Sequence, residues 1–443
     1  VVCGLFGVAL VLAPTPLVLG SVGAAAGALA MLVQPFIGLL LYLVTFFVRP
    51  GELMPALEVL HLERVVGVFT LACMFFEIYR KKGALAIDGS RQTFAFLAFV
   101  VAMVLSLPFS FWPGGTADKI VEVLKIFALY LMLVHLITTR ARLRVVVVLY
   151  VLLLGYVAGQ TLVDFLQGKV DFAQGVERAV GRTSVSDNPN QLGTTLAAIV
   201  PVYLFLARVV RRRLLAAGLL ALAGISIWVI LMTGSRASLL GLFAALAYVI
   251  WSSRRRAAWL ITAVVAAPLV FASLPAQYKE RYATIGTSIQ GEIDGSSMGR
   301  LTAWKAGAAM LIDRPLFGVG AGCFGVAHAE AYSPPGRRTW LESHSLYVQV
   351  PAEVGIVGSV AFFGFMILFL RLNRRTYREV LARGPDWNLE AMLLQGLWAG
   401  FLVLLIAGVF GHSLYRTTWY EYAAFGLTVH RLHVLNRDPN PAA

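Results

Sequence analysis

The chain has 443 residues, of which 59% are hydrophobic and 14% charged, and its mean hydropathy is +0.77. Soluble domains carry about 25% charged residues; with so few, a soluble particle of this size cannot cover its exterior with polar surface, and a bilayer is the natural surrounding. The net charge of +14, from 37 Lys and Arg against 23 Asp and Glu, falls in short clusters between apolar runs, which is how membrane loops are oriented and not how nucleic acid is bound, so no nucleic-acid partner is expected.

In chain order, apolar runs cover 2–33, 35–48, 64–79, 92–110, 120–137, 144–165, 191–208, 214–232, 237–252, 257–273, 346–370, 390–410 and 418–434. From residue 35 onward these predict twelve spans, each near the length a bilayer requires. The first run contains Pro14 and Pro16 and reads as a tight hairpin or one kinked helix, so the expectation is 12 to 14 transmembrane helices. That run lacks a basic flank and a clear cleavage site and is read as a retained membrane segment. No run alternates with period two over strand lengths, which excludes a barrel. The predicted fold class is an all-α polytopic integral membrane protein. Its expected organisation is membrane helices with short loops over 1–273, a long segment with surface helices over 274–345, further membrane helices over 346–434 and a cytoplasmic tail over 435–443.

Cys3, Cys73 and Cys323 form no CxxC pair and no disulfide framework. No His/Asp cluster has metal-ligand spacing, so no cofactor is expected. No internal repeat at a fixed period is visible, which weighs against a transporter built from inverted halves.

Alternating connections hold Arg80, Lys81, Lys82 and Arg91; Arg140, Arg142 and Arg144; Arg208 and Arg211 to Arg213; Arg254 to Arg256; Arg371, Arg374, Arg375, Arg378 and Arg383; and Arg431 with Arg437. These are 21 of the 37 basic residues, and the positive-inside rule places them in the cytoplasm. The remaining connections, 49–63, 111–119, 166–190, 233–236, 274–345 and 411–417, then face outward. At about 72 residues the 274–345 segment is too long for a plain loop and implies a folded, functional element. Within it Arg300 to Leu311 reads as a surface helix with Leu301, Trp304, Ala308 and Leu311 on one face, stopped by Pro315.

Three arginines stand on the side where the rule does not place them. Arg236 follows Thr233-Gly234-Ser235 between two spans, Arg182 lies in a loop rich in hydrogen-bonding groups, and Arg300 opens the surface helix. Each alone has a plain reading, as an interfacial anchor, a solvated turn or a solvated charge. Converging, their guanidinium forks suit a lipid-linked phosphate or pyrophosphate at the interface. Arg49 and Arg416 also lie outward and are alternatives to Arg182. His344, in Glu342-Ser343-His344-Ser345 at the mouth of a span, can accept a proton from a hydroxyl near neutral pH. Gly320-Ala321-Gly322-Cys323-Phe324-Gly325 matches a dinucleotide fingerprint by letter, but it follows no strand and is read as a flexible turn. Tyr415, Trp419 and Trp340 fit sugar stacking and an interfacial aromatic belt equally well.

These residues resemble a known family. The segment with Arg300-Leu301-Thr302-Ala303-Trp304, then Asp313-Arg314-Pro315-Leu316-Phe317-Gly318-Val319-Gly320, then His344-Ser345 with nine residues to Gly355-x-x-Gly358, looks like the O-antigen ligase and polymerase superfamily. Gly234-Ser235-Arg236 fits the same pattern, and the His-Ser, nine-residue, Gly-x-x-Gly spacing is the ligase form. The resemblance implies a GT-C-like membrane glycosyltransferase at the periplasmic face of a Gram-negative inner membrane, working without metal or ATP. Its donor would be O-antigen on undecaprenyl pyrophosphate and its acceptor the outer-core sugar of lipid A-core. His344 would be the catalytic base, Arg236, Arg300 and Arg182 the donor pyrophosphate ligands, and Ser235, Ser345, Arg49, Arg416 and Trp304 additional substrate contacts. One base and no close carboxylate pair imply inversion at the anomeric carbon. An O-antigen polymerase or a protein O-oligosaccharyltransferase would use the same donor, and a polyprenyl-lipid flippase is the reading from a different class. The oligomeric state is not legible.

Overall fold

A computed structural model describes residues 15–53, 58, 60–83, 88–173, 175–181, 188–289, 295–333, 336 and 338–436. Its helices are α1 (Thr15–Val33), α2 (Pro35–Val48), α3 (Leu62–Lys82), α4 (Arg91–Ser106), α5 (Pro113–Leu136), α6 (Arg140–Leu166), α7 (Pro189–Ala207), α8 (Arg213–Met232), α9 (Arg236–Trp251), α10 (Arg256–Ser273), α11 (Ala276–Ile289), α12 (Gly295–Asp313), α13 (Leu346–Leu381), α14 (Asn388–Val409) and α15 (Thr417–Leu435). Each apolar run from residue 35 onward thus carries a helix. Among the described residues seven helices are long and apolar enough to cross a membrane, and Pro35–Val48 and Arg236–Trp251 are shorter apolar helices. The choice between hairpin and kink at Pro14 lies outside the described residues.

Local chemistry sets these boundaries. Proline stands at the start of α2, α5 and α7, where its missing N–H costs no intrahelical bond. Ser90, Thr139, Asn188 and Ser235 cap α4, α6, α7 and α9 through their side-chain oxygens. Gly83, at φ +67°, closes α3 in the left-handed conformation.

The bundle packs around α7 and α15, both almost wholly buried. Small residues let backbones meet: a Cβ on Gly396 of α14 would lie 2.7 Å from Val202 Cα of α7, and Gly400 abuts the Ala198 carbonyl. The periphery is apolar in the opposite sense. No residue of α10 is buried, and Ile261, Val264 and Leu269 are each more than 60% exposed, which is a lipid-facing surface. At the end of the bundle reached by the C-terminus of α13, Arg140 pairs with the fully buried Glu390 at 2.7 Å and stacks on Trp387.

One departure from an all-α fold is present. Val170–Ala173 and Val176–Ala179, here β1 and β2, form an antiparallel hairpin with Val170 opposite Ala179 and Ala173 opposite Val176. Four-residue strands are too short for a periodic signal; Gly175, at φ +78°, lies between them.

In α12 the faces also differ from expectation. Ala303, Ala306 and Met310 are buried, with Gly307 against Val348, while Leu301 is 42% exposed. The small residues face the protein, whereas of the apolar stripe read from the sequence Leu301 and Ala308 are exposed and Trp304 and Leu311 half-buried.

Candidate active site

The turn between α8 and α9 is the hub. Gly234 adopts φ +59°, which glycine takes without strain, and Ser235 caps α9 by accepting from the Ser238 N–H at 3.4 Å. The turn's carbonyl groups point at arginines. Arg178, on β2, donates from Nε to Thr233 O at 2.7 Å and from its terminal nitrogen to Asn190 Oδ1 at 2.8 Å. Arg281, on α11, donates from Nε to Gly234 O at 2.6 Å. Tyr282 donates to Leu231 O at 2.9 Å, and Tyr278 donates to Glu177 O of the hairpin. Residues 278, 281 and 282 share one face of α11 by their spacing, so that face clamps turn and hairpin together.

This clamp collects positive charge. Burial and the neighbouring Arg281 lower Arg178 to about 10. Burial, then Arg236 and Arg300, lower Arg281. Like charges held this close disfavour their own ionisation, and an anion bound among them would relieve the repulsion.

His344 stands beside the cluster. Its backbone has φ +46°, a sparsely populated conformation for a residue with a side chain that is held where surroundings over-determine it. The half-buried ring faces His412, with centroids 5.9 Å apart. Burial, His412 and Arg300 lower its pKa, with Glu342 opposing. His412 is lowered as well, by the protein packed around it and by Arg416 and Lys119, again against Glu342. Both shifts favour the neutral ring, the state in which imidazole accepts a proton. Trp304 Nε1 and Ser343 Oγ are buried without a hydrogen-bond partner among the described residues, leaving each a polar group for water or a ligand to satisfy.

A broken helix supports His344. In α13 Gly355 is non-helical, at φ 62° and ψ −164°, and the 315–320 segment docks along the break. Ile356 N donates to Pro315 O at 2.8 Å, Val319 N to Ala352 O at 2.9 Å and Gly320 N to Glu353 O at 3.0 Å. A Cβ on Gly355 would collide with the Leu316 backbone. Glu353, 2% exposed, accepts from Gly322 N at 2.8 Å, from Gln349 Nε2 at 3.2 Å and from the Tyr415 hydroxyl. Gln349 in turn accepts from Leu414 N at 3.2 Å. The Gly320–Gly325 run is thus a close-packed turn wedged between Glu353 and Ser110, with Cys323 Sγ 3.2 Å from Ser110 Oγ.

Arg236, Arg300 and His344 fall into one electrostatic neighbourhood through Arg281 and Arg300. Arg182 lies outside the described residues. Ser235 and Ser345 are buried at the starts of α9 and α13. Arg416 donates to Gln191 O at 2.8 Å, and burial lowers it to about 10. Arg49 pairs with Glu52 at 2.7 Å and lines a different cavity. Sequence reasoning missed Arg178, Arg281 and His412. The 278/281/282 spacing and the shared loop of Arg178 and Arg182 were the available signals; nothing local marks His412.

Residues 221–363 match the family described as O-antigen ligase, which bears out the resemblance read from the motifs; the matched segment holds Arg236, Arg281, Arg300 and His344. The chain is 24% identical over 265 residues to the teichuronic acid biosynthesis protein TuaE of Bacillus subtilis (strain 168), covering 58% of this chain and 53% of that one. The chain therefore spans about half the length of this curated relative.

Proposed function

We propose that the protein is an O-antigen ligase that transfers polysaccharide from undecaprenyl pyrophosphate to the outer-core sugar of lipid A-core. The observation that carries the reading is the adjacency of a neutral histidine, His344, to the Arg178, Arg281, Arg236 and Arg300 cluster. The arginines take the donor pyrophosphate and stabilise the charge that grows as the anomeric C–O bond breaks, so no general acid is required. His344 takes the acceptor hydroxyl proton, and the oxygen attacks from the face opposite the departing pyrophosphate. One displacement inverts the anomeric centre. The site faces the periplasm of a Gram-negative inner membrane, because the basic loops lie at the other end of the bundle.

A second reading is transfer onto a growing glycan, as in a polymerase, and the similarity to a teichuronic acid biosynthesis protein favours it. Purified protein in liposomes, given labelled donor lipid with or without lipid A-core, separates the two. Label moving onto lipid A-core supports the ligase; elongated lipid-linked glycan without acceptor supports the polymerase.

A further inference from the structure

Between α2, α3 and α5, with Thr417 of α15 in its wall, lies a second cavity of about 640 Å3 whose lining includes neither His344 nor Arg178, Arg236, Arg281 or Arg300. Its polar wall carries both signs: Arg49, Arg64 and Lys125 against Glu63, Asp118 and Glu122. Its apolar part includes Phe46, Ile126 and Leu129. Asp118, Glu122, Lys125 and Leu129 follow one another at helical spacing on α5, so one stripe about 16 Å long runs along the cavity. Lys125 stands twelve residues into this 24-residue helix, with Glu122 and Asp118 one and two turns before it on the same face.

The charge pattern selects the occupant. A pyrophosphate suits the arginine cluster; a wall of alternating cations and carboxylates suits hydroxyl groups, which donate to one and accept from the other. An apolar continuation down the same helix suits an acyl chain. The cavity also adjoins the candidate active site: Thr417 follows Arg416 in sequence, and Lys119, next to Asp118, lies 5.1 Å over the Tyr415 ring.

We propose that this cavity is a binding site for a glycolipid, holding the sugar-bearing headgroup of the acceptor while the donor occupies the arginine cluster. The assignment rests on the proposed transferase reading for its role, and on the cavity alone for the ligand chemistry.

The test uses the full chain in nanodiscs, with lipid A-core as probe and phosphatidylglycerol as control, read by native mass spectrometry. Lys125→Met with Glu122→Gln, and separately Val121→Trp to fill the cavity, should weaken lipid A-core retention by about tenfold and leave donor-lipid binding unchanged. Thermal melts confirm that each variant is folded. In the transfer assay the same variants should raise KM for the acceptor, with kcat and the donor KM preserved. Lipid A-core retention unchanged in folded variants, or equal retention of phosphatidylglycerol by the wild-type protein, overturns the proposal. Binding is read without turnover, so a protein that retains the glycolipid but transfers nothing refutes the transferase reading and leaves the site standing.

Discussion

Arg281 Nε donates to the carbonyl oxygen of Gly234 at 2.6 Å, tying a helix of the 274–345 segment to the turn that presents Arg236. Arg236 and Arg300 are the charges that act on Arg281. Arg281 is thereby a structural brace and a charge of the site at once. Arg281→Ala should weaken donor-lipid binding by the equivalent of about 1.5 to 3 kcal/mol, the worth of a hydrogen bond to a charged group. Arg281→Lys should recover little, because an ammonium lacks the planar fork. Titration of the variants with donor lipid checks both; unchanged binding in Arg281→Ala removes it from the site.

Gly234→Ala tests the turn itself. The backbone at φ +59° costs a residue with a Cβ about 1 to 2 kcal/mol, and the new methyl would lie 2.9 Å from Arg281 Nε. The variant should fold with a lowered melting temperature and lose donor affinity together with Arg281. A variant with full donor affinity would show that the contact does not position the arginine.

The pH dependence follows from two histidines lowered below 6.5. A base must be neutral to work, so transfer should rise with pH through an apparent pKa below 6.5 and be level at pH 7. Removing the Arg300 charge in Arg300→Gln should move this acid limb to higher pH, because a neighbouring cation no longer opposes imidazolium. His412 also lowers His344, so His412→Asn should move the limb the same way. Stability has the matching sign. The unfolded chain binds protons before the folded one does, so stability is full above 6.5 and falls as pH drops through the folded pKa values. Rate profiles and melts over this range provide the check, and an acid limb above 6.5 in the wild type contradicts the assignment.

Gly355→Ala should be the most damaging glycine substitution in α13. A Cβ there meets the Leu316 backbone, and the docked segment cannot retreat without breaking the Ile356–Pro315 and Val319–Ala352 hydrogen bonds. Loss of folded protein on size exclusion is the expected result. Glu353→Gln keeps the volume and tests the same support more gently; it should fold and lose kcat, with the donor KM preserved.

The helices were legible because each apolar run is long; Pro35, Pro113, Pro189 and the caps at Ser90 and Asn188 set ends that the runs alone leave open. The hairpin at 170–179 was not, since four residues give no period. Arg236, Arg300 and His344 stood out by position, as polar groups where a span begins or ends. Arg178 and Arg281 lie inside a loop and a mixed helix, and only the folded turn shows that both reach its carbonyls. His412 is separated from His344 by a complete helical excursion, α13 and α14, so no sequence window contains both. At Gly355 the 315–320 segment, not another helix, makes the close approach.

The central claim is that His344 is the base of a lipid-to-lipid glycan transfer. The most direct measurement reconstitutes purified wild-type and His344→Ala protein with undecaprenyl pyrophosphate-linked O-antigen and lipid A-core, without nucleotide, and resolves ligated product on a gel. Product from the wild type and none from a normally folded His344→Ala protein is the expected result. Ligated product in equal amount from both contradicts the account.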